Sequence, residues 1–482
     1  MKVTPGPAAL ALDGAVATRR PPAAAPAALS PRTQRLLAAP ILPTLLRLAA
    51  PNLVLVLVQA LSSAVDAFYL GRLGPAVLAG IALVFPLWTL MVTTSAGALG
   101  GGISAAVARA LGAGRRADAD ALVAHSLLLA CAAALVFSAI VLAIGPWLFP
   151  AMGGSGPALD AALLYAGIIF SGALFVWLVN AFASLLRGSG EMLVPAVIVV
   201  AGECLHMLLA PLLIFVGVGP SGPLGVQGAA LSLVISYALR ALALGLYVIG
   251  RRAAVRLPAG PFRLRPDLIG DVLRVGLPAS LNTLMSNLNV MAVTSLVGGS
   301  GVVALAGYGL AARLQFLLIP LVFGFGSALV TMVGTNIGAG QVQRARRIAW
   351  TGAGVAALAT GGIGVLVAIV PTLWLGLFTA DATVLAVGSL YLRVVGPAFS
   401  LFGLGLALYF AAQGAGRVAP ALLAGVVSFV VSVGGGWLLV HGLHADLPWL
   451  FGAIASALVL FGLIQAAAVG RVMRPRPSED VS

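Results

Sequence analysis

Charge is what this sequence has least of. Only 8% of its 482 residues are charged, with a single lysine, four histidines, two cysteines and thirteen acids. Soluble domains carry about a quarter charged residues, so the shortage excludes a water-soluble fold. Disorder needs low hydrophobicity, and a chain 61% hydrophobic does not have it. Cys131 and Cys204 both lie inside apolar runs, which excludes a disulfide or cysteine-metal framework. No H-E-x-x-H or G-x-S-x-G occurs, and His125, His206, His441 and His444 fall in three separate regions. A convergent nucleophile or metal set is therefore missing, so neither an enzyme nor a cofactor is expected.

Apolar length is what the chain has in abundance, with a mean hydropathy of +1.11. Its runs reach about 20 residues and lack the ten-residue alternation of a membrane barrel. Backbone groups inside a bilayer must bond to one another, so a helical, polytopic membrane protein is expected. Breaks at Gly, Pro and charge clusters give twelve spans, roughly 45–69, 76–108, 121–144, 161–185, 192–216, 226–249, 272–297, 302–335, 349–370, 385–411, 418–440 and 448–470. Residues 1–43, rich in Ala and Pro, read as a disordered cytoplasmic tail, and 472–482 as a second tail.

The net charge of +14 raises the question of nucleic acid, and its distribution answers it. Of 27 basic residues, 23 fall in the tails and even-numbered loops, and one, Arg72, in an odd-numbered loop. Arg240, Arg313 and Arg393 lie within spans. This is the positive-inside pattern, which places both termini in the cytoplasm of a bacterial-type plasma membrane and leaves no need for a nucleic-acid partner.

The chain also repeats itself. Gly112-Ala113-Gly114 recurs as Gly338-Ala339-Gly340, Gly188-Ser189-Gly190 as Gly414-Ala415-Gly416, Pro51 as Pro278, and Leu78-Ala79-Gly80 as Leu305-Ala306-Gly307, all at offsets of 226 or 227. Pro195 recurs as Pro420 at 225. Six spans per half put both halves in one orientation, so the expected fold is all-α, with twelve transmembrane helices in two six-helix lobes. The lobes are related by a pseudo-twofold axis along the membrane normal. Residues 44–250 form the first lobe, 251–271 a cytoplasmic linker, and 272–471 the second lobe.

Taken in order, these landmarks resemble the multidrug and toxic compound extrusion (MATE) family, closest to its DNA-damage-inducible branch. They include Gly71-Arg72-Leu73-Gly74 after span 1, Gly100 to Ala117, Leu186-Arg187-Gly188-Ser189-Gly190, Val275-Gly276-Leu277-Pro278, Gly334 to Gly340, and Gln413 to Arg417. The resemblance covers about residues 41–470. It implies a V-shaped pair of lobes that exports lipophilic, often cationic, compounds by alternating access against a proton or sodium gradient. A lipid-linked-saccharide flippase of the same superfamily and a major-facilitator antiporter are the alternatives. The first predicts a strongly cationic cleft, and the second a loop motif that Ala110 to Arg116 matches poorly. A small-molecule substrate, a coupling cation and the bilayer are the implied partners of a monomer.

Coupling to a cation gradient needs a group that binds and releases the cation inside the membrane, and a carboxylate suits this. Only Asp66 and Glu203 lie well within spans. A mid-helix Asp costs roughly 2.5–3.5 kcal/mol on insertion scales, which singles out Asp66, at the position of the family's coupling aspartate. A capped structural carboxylate is the other reading. Glu203 and His206, three apart in span 5, share a helical face. They either relay a proton or form a hydrogen bond that orients the helix.

Where the branch's sodium-associated pattern has Asn, Asp and Thr, this chain has His206, Ala210 and Leu233. That favours protons over Na⁺. The other branch's second-lobe carboxylate is replaced by Ser286, Asn287 and Asn289. Gln59, Asn180, Asn282, Asn287 and Trp177 are candidate cleft residues, with hydrogen bonds across helices or core packing as their other reading.

Overall fold

The computed structural model describes residues 29–217, 222–250, 253–258 and 261–473. Residues 31–38, expected in the disordered tail, instead form the helix Pro31–Ala38, capped by Ser30 and started by a proline at its first turn. Most of the predicted tails, 1–28 and 474–482, lie outside the described residues.

Twelve helical segments then follow, numbered here as spans 1 to 12: Ile41–Gly71, Pro75–Gly112, Arg116–Ala151, residues 156–188, Leu193–Val216, Val226–Ile249, Pro266–Gly298, Val302–Gly338, Val342–Ile369, Ala382–Gly414, Ala419–Gly442 and Leu447–Val472. Ten are long and apolar enough to cross a bilayer singly. Span 4 does so as two helices bent by 46° at Gly172. Span 7 is as long but less apolar, because Ser280, Asn282, Thr283, Ser286, Asn287 and Asn289 interrupt it. Span 2 contains a π-helical turn at Thr94–Leu99, and spans 5 and 11 contain others.

The repeat has a plain structural cause. Gly114, Gly190, Gly340 and Gly416 all adopt positive φ, between 70° and 81°. Each ends a helix with the same pair of bonds: Arg115 N–H to Ala110 O, Glu191 to Leu186, Gln341 to Asn336, and Arg417 to Ala412, at 2.8–3.0 Å, each beside a bond of 2.9–3.1 Å from the glycine N–H to the carbonyl three residues back. This closure needs a left-handed residue, which only glycine adopts without penalty. Gly74 and Gly301, 227 apart with φ of 111° and 106°, instead precede the first turns of spans 2 and 8.

The lobes meet at the arginine-rich end. A Cβ on Gly112 of span 2 would overlap the Thr335 carbonyl of span 8, and one on Gly338 would overlap the Arg109 carbonyl. The two contacts are images of each other under the repeat. Thr331 Oγ1 donates to Arg187 O (2.7 Å), Asn52 Nδ2 to Ser327 Oγ (2.8 Å), Gln413 Nε2 to Gly97 O (3.3 Å) and Arg109 Nη1 to Gly414 O (3.1 Å). All lie in the basic-end halves of their spans, so the lobes are held together at that end.

The helix Pro31–Ala38 lies across the seal. Arg32 pairs with Glu191 of the first lobe (2.7 Å), and Leu36 O accepts from Asn336 of the second (3.2 Å).

The segment between spans 6 and 7 is pinned to span 3. Arg265 pairs with Asp118 (2.6 Å) and Asp267 (2.7 Å), and its backbone N–H donates to His125 Nε2 (2.9 Å). The hydrogen bond from Arg265 holds Asp267 below the usual carboxylate range.

Candidate functional site

Asp66 sits one turn from the far end of span 1, held there by a helix that continues past it to Gly71. Both of its oxygens face His206 Nε2 of span 5, at 3.0 and 3.2 Å. The exposures of the two partners differ sharply: the Asp66 side chain is 33% exposed and that of His206 only 3%. The carboxylate is thus only partly covered by protein, while the imidazole is enclosed in it. With Asp66 ionised, Nε2 carries the hydrogen in this bond, because a carboxylate only accepts. His206 Nδ1 is buried with no hydrogen-bond partner.

Glu203 and His206 share a helical face, as their spacing requires, but they bond to different helices. Glu203 Oε1 accepts from Arg240 Nη1 of span 6 at 2.8 Å, with both side chains buried. Arg240 Nε and Nη2 also donate to Ser236 Oγ (3.1 and 2.8 Å), Ser236 Oγ donates to Gly202 O (2.7 Å), and the guanidinium lies 4.5 Å from the Tyr237 ring centroid. The missing alanine side chain at Gly202 makes room, since a Cβ there would overlap the Arg240 side chain. Sequence reasoning had noted Arg240 only as an intramembrane arginine. The findable signal was its opposite charge in the next span, because an intramembrane charge needs a partner.

The candidate cleft residues have different surroundings. Asn180 Nδ2 donates to Ser95 Oγ in the π turn of span 2 (2.8 Å), a bond between helices of one lobe. Asn282 packs against Gly425 of span 11, Asn287 Nδ2 donates to its own helix at Thr283 O (2.9 Å), and Ser432 Oγ donates to Asn289 Oδ1. Gln59 is exposed on span 1. Trp177 is core rather than cleft: it is 4% exposed and packs against Phe137 of span 3, because its side chain points away from the second lobe. Arg313 and Arg393 are exposed.

One functional candidate was missed. Arg187, counted as a loop arginine, is 6% exposed at the meeting of the two lobes. The repeat places it opposite Gln413, 226 residues on.

The MatE family model matches residues 51–212 and again 278–438, one copy in each lobe. The chain belongs to the MatE family. Its members are transporters rather than enzymes, and the chain shares 31% identity over 314 residues with the FAD transporter of Shewanella oneidensis, covering 65% of this chain and 69% of that one. It is 25% identical to the probable multidrug resistance protein NorM of Thermotoga maritima over 80% of this chain and 82% of that one. Among solved structures, a MOP superfamily transporter from Pyrococcus furiosus superposes with a TM-score of 0.85 at 24% identity, over 93% of this chain and 100% of that one.

Proposed function

We propose that this MatE transporter exports lipophilic organic compounds, cationic ones among them, in exchange for protons. In this reading it acts as a monomer in a bacterial-type plasma membrane, with its basic end and both termini in the cytoplasm. The observation that carries the reading is the Asp66–His206 pair, a partly exposed carboxylate bonded to a buried imidazole.

With the imidazole neutral and Asp66 ionised, the pair holds one negative charge, which in a poorly solvated site attracts an organic cation. One added proton neutralises the pair whichever partner takes it, and the attraction is lost. A proton entering from outside thus favours release of substrate outward. Its departure when the cleft faces the cytoplasm restores the charged site for the next substrate. Glu203, also named as a coupling residue from the sequence, acts in this scheme by position: neutralised by Arg240, it fixes span 5 against span 6 so that His206 stays aimed at span 1. Sodium is disfavoured because a hard cation seeks oxygen ligands, whereas His206 offers nitrogen, and Ala210 and Leu233 offer nothing.

The test uses proteoliposomes loaded with rhodamine 6G under an imposed pH or sodium gradient. Efflux driven by the pH gradient, and reduced more than tenfold in Asp66→Asn, is expected. Sodium-driven efflux without a pH gradient, or full activity of the variant, would contradict the reading.

A further inference from the structure

We infer that the helix Pro31–Ala38 is a latch across the basic end of the transporter, anchored in the second lobe and clasping the first. It lets go of the first lobe when that end opens. The inference rests on the change of access proposed above, but not on its coupling ion or its substrate.

The helix leads into span 1, yet its firmest contacts are with the other lobe. Ala39 and Pro40 are both extended, with ψ of 156° and 134°, because a residue before proline is driven out of the α region. They form a joint, so the helix is free to keep its place while span 1 moves. The last carbonyls of a helix have no partner within it, and here the second lobe supplies donors. Asn336 Nδ2 of span 8 donates to Leu36 O (3.2 Å), and Arg344 of span 9 donates to Ala39 O. The positive charge of Arg344 also suits the negative end of the helix. Asn336 is fully buried, and Leu36, 4% exposed, belongs to the apolar cluster that holds Val333, Ile348 and Ala349 of spans 8 and 9. Parting from the second lobe would expose apolar surface and strip a buried carbonyl of its donor, and both are costly.

The hold on the first lobe is lighter. Arg32 and Leu36, one turn apart, rest on the glycine turn that ends span 4: a Cβ on Gly190 would lie 3.1 Å from Leu36 Cδ1 and 3.5 Å from Arg32 Cδ. Arg32 Nη1 pairs with Glu191 Oε2 at 2.7 Å, but the Arg32 side chain is 44% exposed, and an ion pair open to solvent contributes little. Breaking it strands neither partner. Arg32 passes into water, and Glu191 Oε1 keeps the hydrogen bond donated by Tyr247 of span 6 (2.7 Å). The clasp therefore yields before the anchor does. Because it is made only while the basic ends are together, it favours the closed state by its own worth.

Double electron–electron resonance on the full chain in nanodiscs tests the latch, with Cys131 and Cys204 replaced by alanine. Spin labels go in pairs on the exposed positions Ala117 at the start of span 3, Gln343 at the start of span 9, and Arg35 on the helix. Arg32→Glu sets two negative charges against each other and is expected to raise the fraction of protein with a long Ala117–Gln343 distance about threefold or more. Adding Glu191→Arg exchanges the charges and should return that fraction to the wild-type value. Gly112→Val opens the same end without touching the latch. In that variant the Arg35–Gln343 distance should stay as in wild type while Arg35–Ala117 lengthens. A helix that travels with Ala117 instead, no gain of the long distance in Arg32→Glu, or no recovery in the double variant would each overturn the inference. Opening in Gly112→Val alone would sink the latch and leave the change of access standing; opening in neither variant would sink both.

Discussion

In the first lobe, span 1 meets span 5 through Asp66 and His206, and span 5 meets span 6 through Glu203 and Arg240. In the second lobe the same positions are apolar or neutral. Val293 stands 227 residues after Asp66, Phe429 and Ser432 stand 226 after Glu203 and His206, and Ala466 stands 226 after Arg240. Ser432 bonds to Asn289, and the neighbouring Gln465 donates to Ala421 O at 3.1 Å. Yet the lobes share their helix-ending glycines and their reciprocal contacts at Gly112 and Gly338. What duplication preserved is therefore the architecture of closure. The carboxylates well within the spans sit on one side only, and in the proposed scheme that lobe takes the proton.

The largest expected effect comes from breaking the buried pair peculiar to the first lobe. Arg240→Ala strands Glu203 in protein and should cost about 3–5 kcal/mol of stability, read as a large drop in melting temperature in detergent. Replacing both partners, as in Glu203→Leu with Arg240→Met, should restore most of the loss, since an apolar pair of similar volume is often as stable. A double variant as unstable as the single one would show that the pair itself, and not the stranded charge, holds spans 5 and 6.

Next in size is the shared seal. Gly112→Val forces a side chain into the Thr335 carbonyl and should separate the basic ends of spans 2 and 8. A cysteine pair placed there should then lose most of its cross-linking. Gly338→Val should act equally, because its contact is the mirror of the first, and unequal effects would break the symmetry of the seal. Ser432→Ala in the second lobe should leave the pH dependence of transport unchanged, whereas His206→Ala should shift or abolish it.

The smallest effect lies at the exposed first turn of span 7. Asp267→Asn removes a solvent-screened pair with Arg265 and should cost about 0.5 kcal/mol or less. The folded carboxylate is held below its unfolded range, so its contribution is full at neutral pH and disappears as the pH falls through the folded value. Wild type and variant should thus melt alike in strong acid.

The spans and the two-lobe plan were legible because they are local or periodic: apolar length and a repeated turn. The partners of the buried charges were not. His206 faces a residue 140 positions away, and Glu203 one 37 positions away. Spacing within one helix says which residues share a face but not which helix that face meets. The two readings kept for Glu203 and His206 both paired them with each other, and packing gave each a different partner. Arg187 was hidden for another reason. It ends span 4 beside a glycine turn and so looks like a topology arginine, and only the docking of span 8 against it buries it.

The central claim, that a single proton site in the first lobe exchanges with substrate, is tested most directly by counting protons. Rhodamine 6G added to the purified protein in weakly buffered detergent solution should displace about one proton per bound dye from wild type and none from Asp66→Asn. Equal proton release from both proteins would place the exchanging site elsewhere and contradict the account.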